Sequence, residues 1–135
     1  MRKTIPAVAV ALAALAAGAA LAATLMGPTV GVTLKEFKVL APASSKAGKV
    51  TFVVANKGTL KHEFVVVKTK LAPGKLPLKG AVVDLKKLAV AGRLTPLKPG
   101  TTKRLTLTLK TGKYVLFCNL PAHYKAGQFK GFRIS

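Results

Sequence analysis

The stretch Phe117–Gln128, FCNLPAHYKAGQ, contains the only cysteine of the chain, Cys118, together with His123 and a potential axial oxygen donor, Gln128. The one other histidine, His62, lies far upstream. Donors on one short loop can reach a shared ion without long loops folding back. A thiolate, two imidazoles and a weak axial ligand such as Met or Gln form the trigonal donor set of blue-copper electron-transfer sites. The sequence therefore predicts one bound copper ion.

Each of these donors also has a simpler interpretation. A lone cysteine is most often a buried core residue, His62 alone fits a structural strand position, and His123 alone fits the surface. Gln128 is either the axial donor or a solvent-facing loop residue. Zinc accepts the same cysteine and histidine donors. The joint placement of the cysteine and the two histidines favours copper.

Outside this loop, apolar and polar residues alternate with period two, which is typical of half-buried β-strands. The apolar parity holds over residues 30–34 and then changes, with Phe37 and Val39 on the opposite parity. We interpret this phase slip near residues 35–36 as a β-bulge. Further strands are predicted around residues 50–54, 62–68, 104–110, 114–118 and 129–134. Short strands separated by glycine and proline signals predict an all-β sandwich or barrel.

Residues 69–100 break the alternation with repeated prolines and glycines. Within them, only the stretch from Val82 to Val90 has the pattern of a helix or a ragged strand. We therefore predict a long connection that carries at most one short helical piece.

The N-terminus has the pattern of an export signal. Two basic residues, Arg2 and Lys3, precede an uncharged run that extends to Met26, and small residues at 20–22 resemble a cleavage site. Cleavage after residue 22 leaves 113 residues, comprising a short segment 23–29 and a domain 30–135. The alternative is an uncleaved membrane anchor reaching residue 26, because about 20 apolar residues span a bilayer. Both alternatives predict an exported protein, periplasmic or extracellular, in which a lone thiol needs burial or a metal to escape oxidation.

The chain is strongly basic. It carries 23 lysines and arginines against three acidic residues, a formal net charge of +20, which becomes +18 without Arg2 and Lys3. The basic residues are dispersed, which indicates a cationic surface that speeds encounter with acidic partners; a general solubilising role is the alternative. No nucleic-acid-binding pattern accompanies the charge. We therefore expect protein redox partners, acidic ones among them, and a monomer that binds no nucleic acid.

From residue 30 to residue 135 the sequence resembles the cupredoxin superfamily, especially small bacterial plastocyanin-like and azurin-like type 1 copper proteins. The resemblance is carried by NKG at 56–58 before HEF at 62–64, LKPG at 97–100, GKY at 112–114, and the loop 118–128. It implies a Greek-key β-sandwich of about seven to eight strands.

The same resemblance implies roles for the donors. His62, Cys118 and His123 match the equatorial copper ligands, and Gln128 matches the position usually filled by an axial methionine. His123 is implied to present its ring edge at an apolar surface where electrons enter and leave, beside residues 120–122. A Gln oxygen is a harder donor than a thioether, so this departure is expected to favour Cu(II) and lower the reduction potential.

The resemblance and the donor set predict a one-electron carrier rather than an enzyme. The alternatives are a copper-handling protein without a shuttle role, and a cationic binding module on a degenerate cupredoxin scaffold. For two further residues we expect structural roles. Tyr114 is predicted to bond a backbone group through its hydroxyl. Glu63 is predicted to be a solvated strand residue, with a hydrogen bond near the metal as its alternative.

Overall fold

The structure is a computed structural model that describes residues 26–135. The predicted export signal, 1–22, and the alternative anchor up to residue 26 lie outside the described residues, apart from Met26 itself. Within residues 26–135, no helix has the length and apolar character needed to cross a membrane.

The described chain folds into short strands joined by turns and one longer connection. The strands are β1 (Thr29–Lys35), β2 (Lys38–Leu40), β3 (Ser44–Ser45), β4 (Gly48–Asn56), β5 (His62–Lys68), β6 (Leu78–Lys79), β7 (Val82–Val83), β8 (Ala89–Leu97), β9 (Thr102–Leu109), β10 (Gly112–Phe117) and β11 (Phe129–Ile134). A single 3-10 turn, Leu85–Lys87, lies between β7 and β8. The predicted all-β class is confirmed, with more strands than expected because several have only two or three residues.

Two mixed sheets form the sandwich. The first has the strand order β2-β1-β4-β9 and the second has the order β3-β11-β10-β5-β8. In the first sheet β1 runs parallel to β4, with Val32 opposite Val54. The alternating side chains of both sheets meet between them, where the ring of Phe52 contacts those of Phe64 and Phe132 at centroid distances of 5.4 and 5.7 Å. Burial of each such ring stabilises the fold by about 1.5–3 kcal/mol.

The predicted β-bulge near residues 35–36 is wrong. The chain instead reverses there, because β1 and β2 pair antiparallel with Lys35 opposite Lys38. Leu34 and Val39 are partners in this hairpin and both are buried. The apolar parity changes because β2 is a new strand running in the opposite direction. The sequence signal was real, but it marked a tight turn.

Strand β8 was missed by the sequence analysis, which placed its residues in an irregular connection. It pairs with β5 at the edge of the second sheet, with irregular register between His62 and Phe64 and between Val66 and Val67. Pro96 lies within β8, and proline is tolerated on an edge strand because one side of that strand needs no hydrogen-bond partner. Its position and irregular pairing explain why β8 shows no clean alternation. The 3-10 turn falls inside the stretch 82–90 that was predicted to be helical or ragged.

The connection between β5 and β8 covers the outer face of the second sheet. Leu76 and Val83 from this connection pack with Val65, Val67 and Phe117 of the sheet, and all five are buried. Both faces of β5 are therefore shielded from solvent, in agreement with the burial of its first six residues. A strand covered on both faces is a rigid support for any side chain at its end.

Tyr114 occupies the role predicted for it. Its ring is buried, and its hydroxyl donates to the carbonyl oxygen of Lys110 at 2.7 Å. This bond stabilises the turn between β9 and β10. Strand β10 in turn leads directly to Cys118.

Candidate metal centre

The donors predicted from sequence converge at one end of the sandwich. His62 is the first residue of β5, and Cys118 follows the last residue of β10. These two strands are hydrogen-bonded neighbours, with Val65 opposite Phe117. The loop that carries His123 is closed by a hydrogen bond from the N–H of Cys118 to the carbonyl oxygen of Gln128, 3.1 Å long. Pairing of β5 with β10 thus brings the distant histidine to the loop.

The spacing of the three donors fits a shared metal ion. Nδ1 of His62 and Nδ1 of His123 are 3.3 Å apart, and Sγ of Cys118 is 3.4 Å from Nδ1 of His123. The ligand atoms of all three residues lie within 4.8 Å of one another. Nitrogen and sulfur ligands bound about 2.0–2.3 Å from one ion are separated by roughly 3.3–3.8 Å at tetrahedral or trigonal angles. The donor set and its spacing therefore both suit a metal ion.

Burial and hydrogen bonding set the protonation of these donors. Burial raises the pKa of the Cys118 thiol, against the opposing effect of the backbone N–H of Glu63, which donates to Sγ at 3.2 Å. Burial lowers the pKa of His123, and the neighbouring His62 lowers it further. The metal-free site thus favours a neutral thiol and a neutral His123. Metal binding requires the thiol to give up its proton.

Gln128 is fully buried, so the alternative of a solvent-facing loop residue is wrong. Its Nε2 donates to the carbonyl oxygen of Lys35 at 2.8 Å, with a longer contact of 3.4 Å to that of Lys38. Its Oε1 is buried and has no hydrogen-bond partner among the described residues. The side chain also lies close to His123, where it partly offsets the lowering of the pKa of that ring. A buried oxygen without a partner in the protein is free to accept an ion or a water molecule.

Glu36 is a site residue that the sequence analysis missed. Its Oε1 accepts a hydrogen bond from Nε2 of His62 at 2.8 Å, and also from the backbone N–H groups of Thr59 and Leu60 at 2.9 and 2.8 Å. The Leu60 bond is the largest cause that lowers the pKa of Glu36 to about 2. With Nε2 directed at Glu36, His62 directs Nδ1 at the other donors. The parity change at residues 35–36 was the only sequence signal near this residue.

The side chain of Glu63 behaves differently from the prediction. Glu63 is buried, not solvated, and its Oε1 accepts a hydrogen bond from Nη2 of Arg93 on β8 at 2.9 Å. It is buried because β8 lies alongside β5, a pairing the sequence did not reveal. Its contribution to the donor cluster is the backbone N–H on Cys118.

The loop that carries His123 is held from outside by the connection between β5 and β8. The side chain of Asn119 accepts from the N–H of Val83 at 2.8 Å and donates to its carbonyl oxygen at 3.2 Å. The hydroxyl of Tyr124 accepts from the N–H of Leu76 and donates to the carbonyl oxygen of Pro73. These bonds were not predicted, because nothing in the irregular sequence of the connection indicates where it packs.

No protein-family model matches the sequence, and no curated protein matches it. Solved structures do match. Auracyanin from Roseiflexus castenholzii aligns with a TM-score of 0.59 and 20% identity, over 82% of this chain and 97% of that one. Auracyanin A, a blue copper protein from Chloroflexus aurantiacus, aligns with a TM-score of 0.59 and 20% identity, over 81% of this chain and 100% of that one. Reduced rusticyanin aligns with a TM-score of 0.57 and 17% identity, over 81% of both chains.

The chain has the cupredoxin fold. The fold that was expected from the sequence resemblance is therefore confirmed. On this cupredoxin scaffold, the group formed by His62, Cys118 and His123 is consistent with a single type 1 copper site.

Proposed function

We propose that this protein is an exported type 1 copper protein that carries single electrons between protein partners. His62, Cys118 and His123 are the equatorial ligands in this proposal, and Gln128 supplies the axial oxygen. The observation that carries the proposal is the convergence of these three donors within 4.8 Å of one another, beside the unpaired Oε1 of Gln128. Thiolate and imidazole donors suit both Cu(I) and Cu(II), so a bound copper ion supplies a one-electron couple.

The protein contributes a support that resists movement of the ligands. His62 and Cys118 are completely buried at the ends of paired strands. The loop between Cys118 and Gln128 is closed by its own backbone hydrogen bond and is tied to the connection through Asn119. Because the ligands cannot easily rearrange, a change of oxidation state needs little reorganisation. Such a site suits a carrier, and with all four donors supplied by side chains it leaves no position for a substrate.

His123 provides the route for electrons in this proposal. It is the one partly exposed member of the group of three, and the exposed ring of Phe37 lies edge-on to it with a centroid distance of 5.0 Å. Pro121 and Ala122, immediately before it, are also exposed. This apolar edge is suited to close contact with a redox partner.

A set of exposed lysines flanks the site and suits an acidic partner. We call these lysines the lysine rim: Lys35, Lys38, Lys57, Lys61 and Lys125. Four of them lie within three residues of a proposed ligand or of the Glu36–Phe37 turn. The fifth, Lys57, is joined to the strand before that turn by a hydrogen bond from its backbone N–H to the carbonyl oxygen of Leu34, 2.9 Å long. Opposite charge across an interface raises the rate of association more than the affinity. Location outside the cytoplasm is supported by the export pattern of residues 1–22.

The experiment that tests the proposal is copper titration of the purified protein. We expect an intense visible thiolate-to-copper band at one equivalent of Cu(II), which bleaches with a reductant and returns with an oxidant. Cys118→Ser should abolish the band, whereas Tyr114→Phe, which changes only a backbone anchor, should retain it. A colourless complex, or a band that does not cycle, would contradict the carrier, and metal analysis showing zinc in place of copper would contradict the copper site.

A further inference from the structure

One turn of the chain, at residues 35–38, touches most of the donor cluster. Glu36 accepts from Nε2 of His62. The phenylalanine ring that follows it lies edge-on to His123, and the backbone carbonyl groups that flank the turn accept from Gln128. Among these contacts, the bond to Glu36 is the only one in which a charged side chain meets a proposed ligand. This carboxylate is therefore placed to affect His62 without being one of the proposed ligands.

We propose that Glu36 is a positioning residue of the metal centre. It holds His62 as the Nε2–H tautomer, with Nδ1 turned toward Cys118 and His123, and its negative charge favours the more highly charged Cu(II) state. The second half of this inference rests on the proposed copper function, whereas the first concerns the protein alone. A metal-bound histidine is generally oriented by the acceptor on its other nitrogen, which also raises the basicity of the ring.

The position of the carboxylate is built into the fold. Oε1 of Glu36 is held by three donors at 2.8–2.9 Å, two of them backbone N–H groups of the loop before β5. Gly58 in the same loop makes room for this arrangement. A Cβ atom at position 58 would collide with Oε1 of Glu36 and lie 2.8 Å from Nε2 of His62. The loop, the turn and the ring therefore fit together only with a glycine at position 58.

The charge of Glu36 acts on His62 rather than on a lysine or arginine. Within the described part of the chain, two carboxylates contact a basic side chain: Glu36 contacts the imidazole of His62, and Glu63 contacts the guanidinium of Arg93. Glu63 thus has its own cation, and Glu36 has only the imidazole. Because a carboxylate is a stronger acceptor than a neutral group, it increases electron donation from the ring to a bound cation.

The tautomer of His62 can be measured without any metal. In the metal-free protein we expect ring-nitrogen NMR shifts that place the proton on Nε2. Glu36→Gln retains an oxygen acceptor, so it should keep this tautomer, whereas Glu36→Ala should give a mixture. Gly58→Ala should act like Glu36→Ala because it displaces the carboxylate. An unchanged Nε2–H tautomer in folded Glu36→Ala would overturn the positioning role, whether or not the protein binds copper.

The charge effect is read from the reduction potential of the copper-loaded protein. Loss of a residue that hydrogen-bonds a metal ligand typically weakens metal binding by about 10–100-fold. If Glu36→Gln weakens Cu(II) binding about tenfold relative to Cu(I), the potential rises by about 59 mV. Glu63→Gln is the matched control. It also removes one negative charge from a residue next to His62 in the sequence, but the carboxylate of Glu63 pairs with Arg93. Equal shifts in the two variants would overturn the specific role of Glu36, and a larger shift in Glu36→Gln supports it.

Discussion

Gln128 donates its side-chain amide proton to the backbone carbonyl oxygen of Lys35, at a distance of 2.8 Å. The carbonyl group of Lys38 accepts a longer contact from the same nitrogen. Two carbonyl acceptors on one side of the amide decide its orientation, because the reverse orientation would place oxygen against oxygen. The free Oε1 must then face away from the turn, and it remains unpaired among the described residues.

Gln128→Met should therefore raise the reduction potential. A thioether is a softer donor than an amide oxygen and favours Cu(I). We expect the visible band to persist and the potential, measured by redox titration, to rise by more than about 59 mV, which is a tenfold change in relative affinity. An unchanged potential would remove Gln128 from the coordination sphere and leave only the three-donor site.

Tyr124→Phe should destabilise the metal-free protein. The lost hydroxyl leaves the N–H of Leu76 and the carbonyl oxygen of Pro73 without their partner. An unpaired buried polar group costs about 1–3 kcal/mol, so we expect a loss of that size in the free energy of unfolding from urea denaturation. Tyr114→Phe is the matched control, because that hydroxyl makes one hydrogen bond, to Lys110. An equal loss of unfolding free energy in the two variants would mean that the connection between β5 and β8 does not stabilise the loop 118–128.

The metal-free protein should lose stability in acid through Glu36. Its pKa falls from an ordinary value of 4.5 to about 2 in the fold. A carboxylate with a lowered pKa contributes stability that is present above pH 4.5 and is lost as the pH falls toward 2. We expect the unfolding midpoint in denaturant to fall across that window, and to fall less steeply in Glu36→Gln. The pKa of His123 is lowered from 6.5, so this residue should reduce the stability of both proteins as the pH falls below 6.5.

Electron exchange with an acidic partner should depend strongly on salt. The five lysines of the rim are exposed, and the screening length falls from about 10 Å at 0.1 M salt to about 3 Å at 1 M. We expect the second-order rate, measured by stopped flow, to fall as salt rises. Replacement of Lys57 and Lys61 by Gln should flatten this dependence. The control is the replacement of two exposed lysines at the opposite ends of the strands that carry His62 and Cys118, namely Lys68 of β5 and Lys113 of β10. An equal effect in the control would indicate net charge rather than local docking.

Much of the fold was accessible from local patterns. Strands β4 and β9 have apolar residues at alternate positions, and most of β5 is apolar; each of these strands was predicted near its observed position. Strand β8 was not, because an edge strand with Pro96 and irregular pairing has little pattern of its own. The parity change near residues 35–36 was interpreted as a bulge, but it marks a hairpin turn. The sequence could not distinguish the two, because both change the parity.

The sequence by itself determined the chemistry of the site. One cysteine, two histidines and a glutamine in this pattern indicated copper, since few other ions suit a thiolate and two imidazoles with a weak axial donor. Only the tertiary structure decided how these donors are oriented. The partner of His62 is Glu36, 26 positions earlier, and the partner of Gln128 is Lys35, 93 positions earlier. Such contacts depend on strand pairing and chain reversal, which bring distant residues together, so no local pattern encodes them.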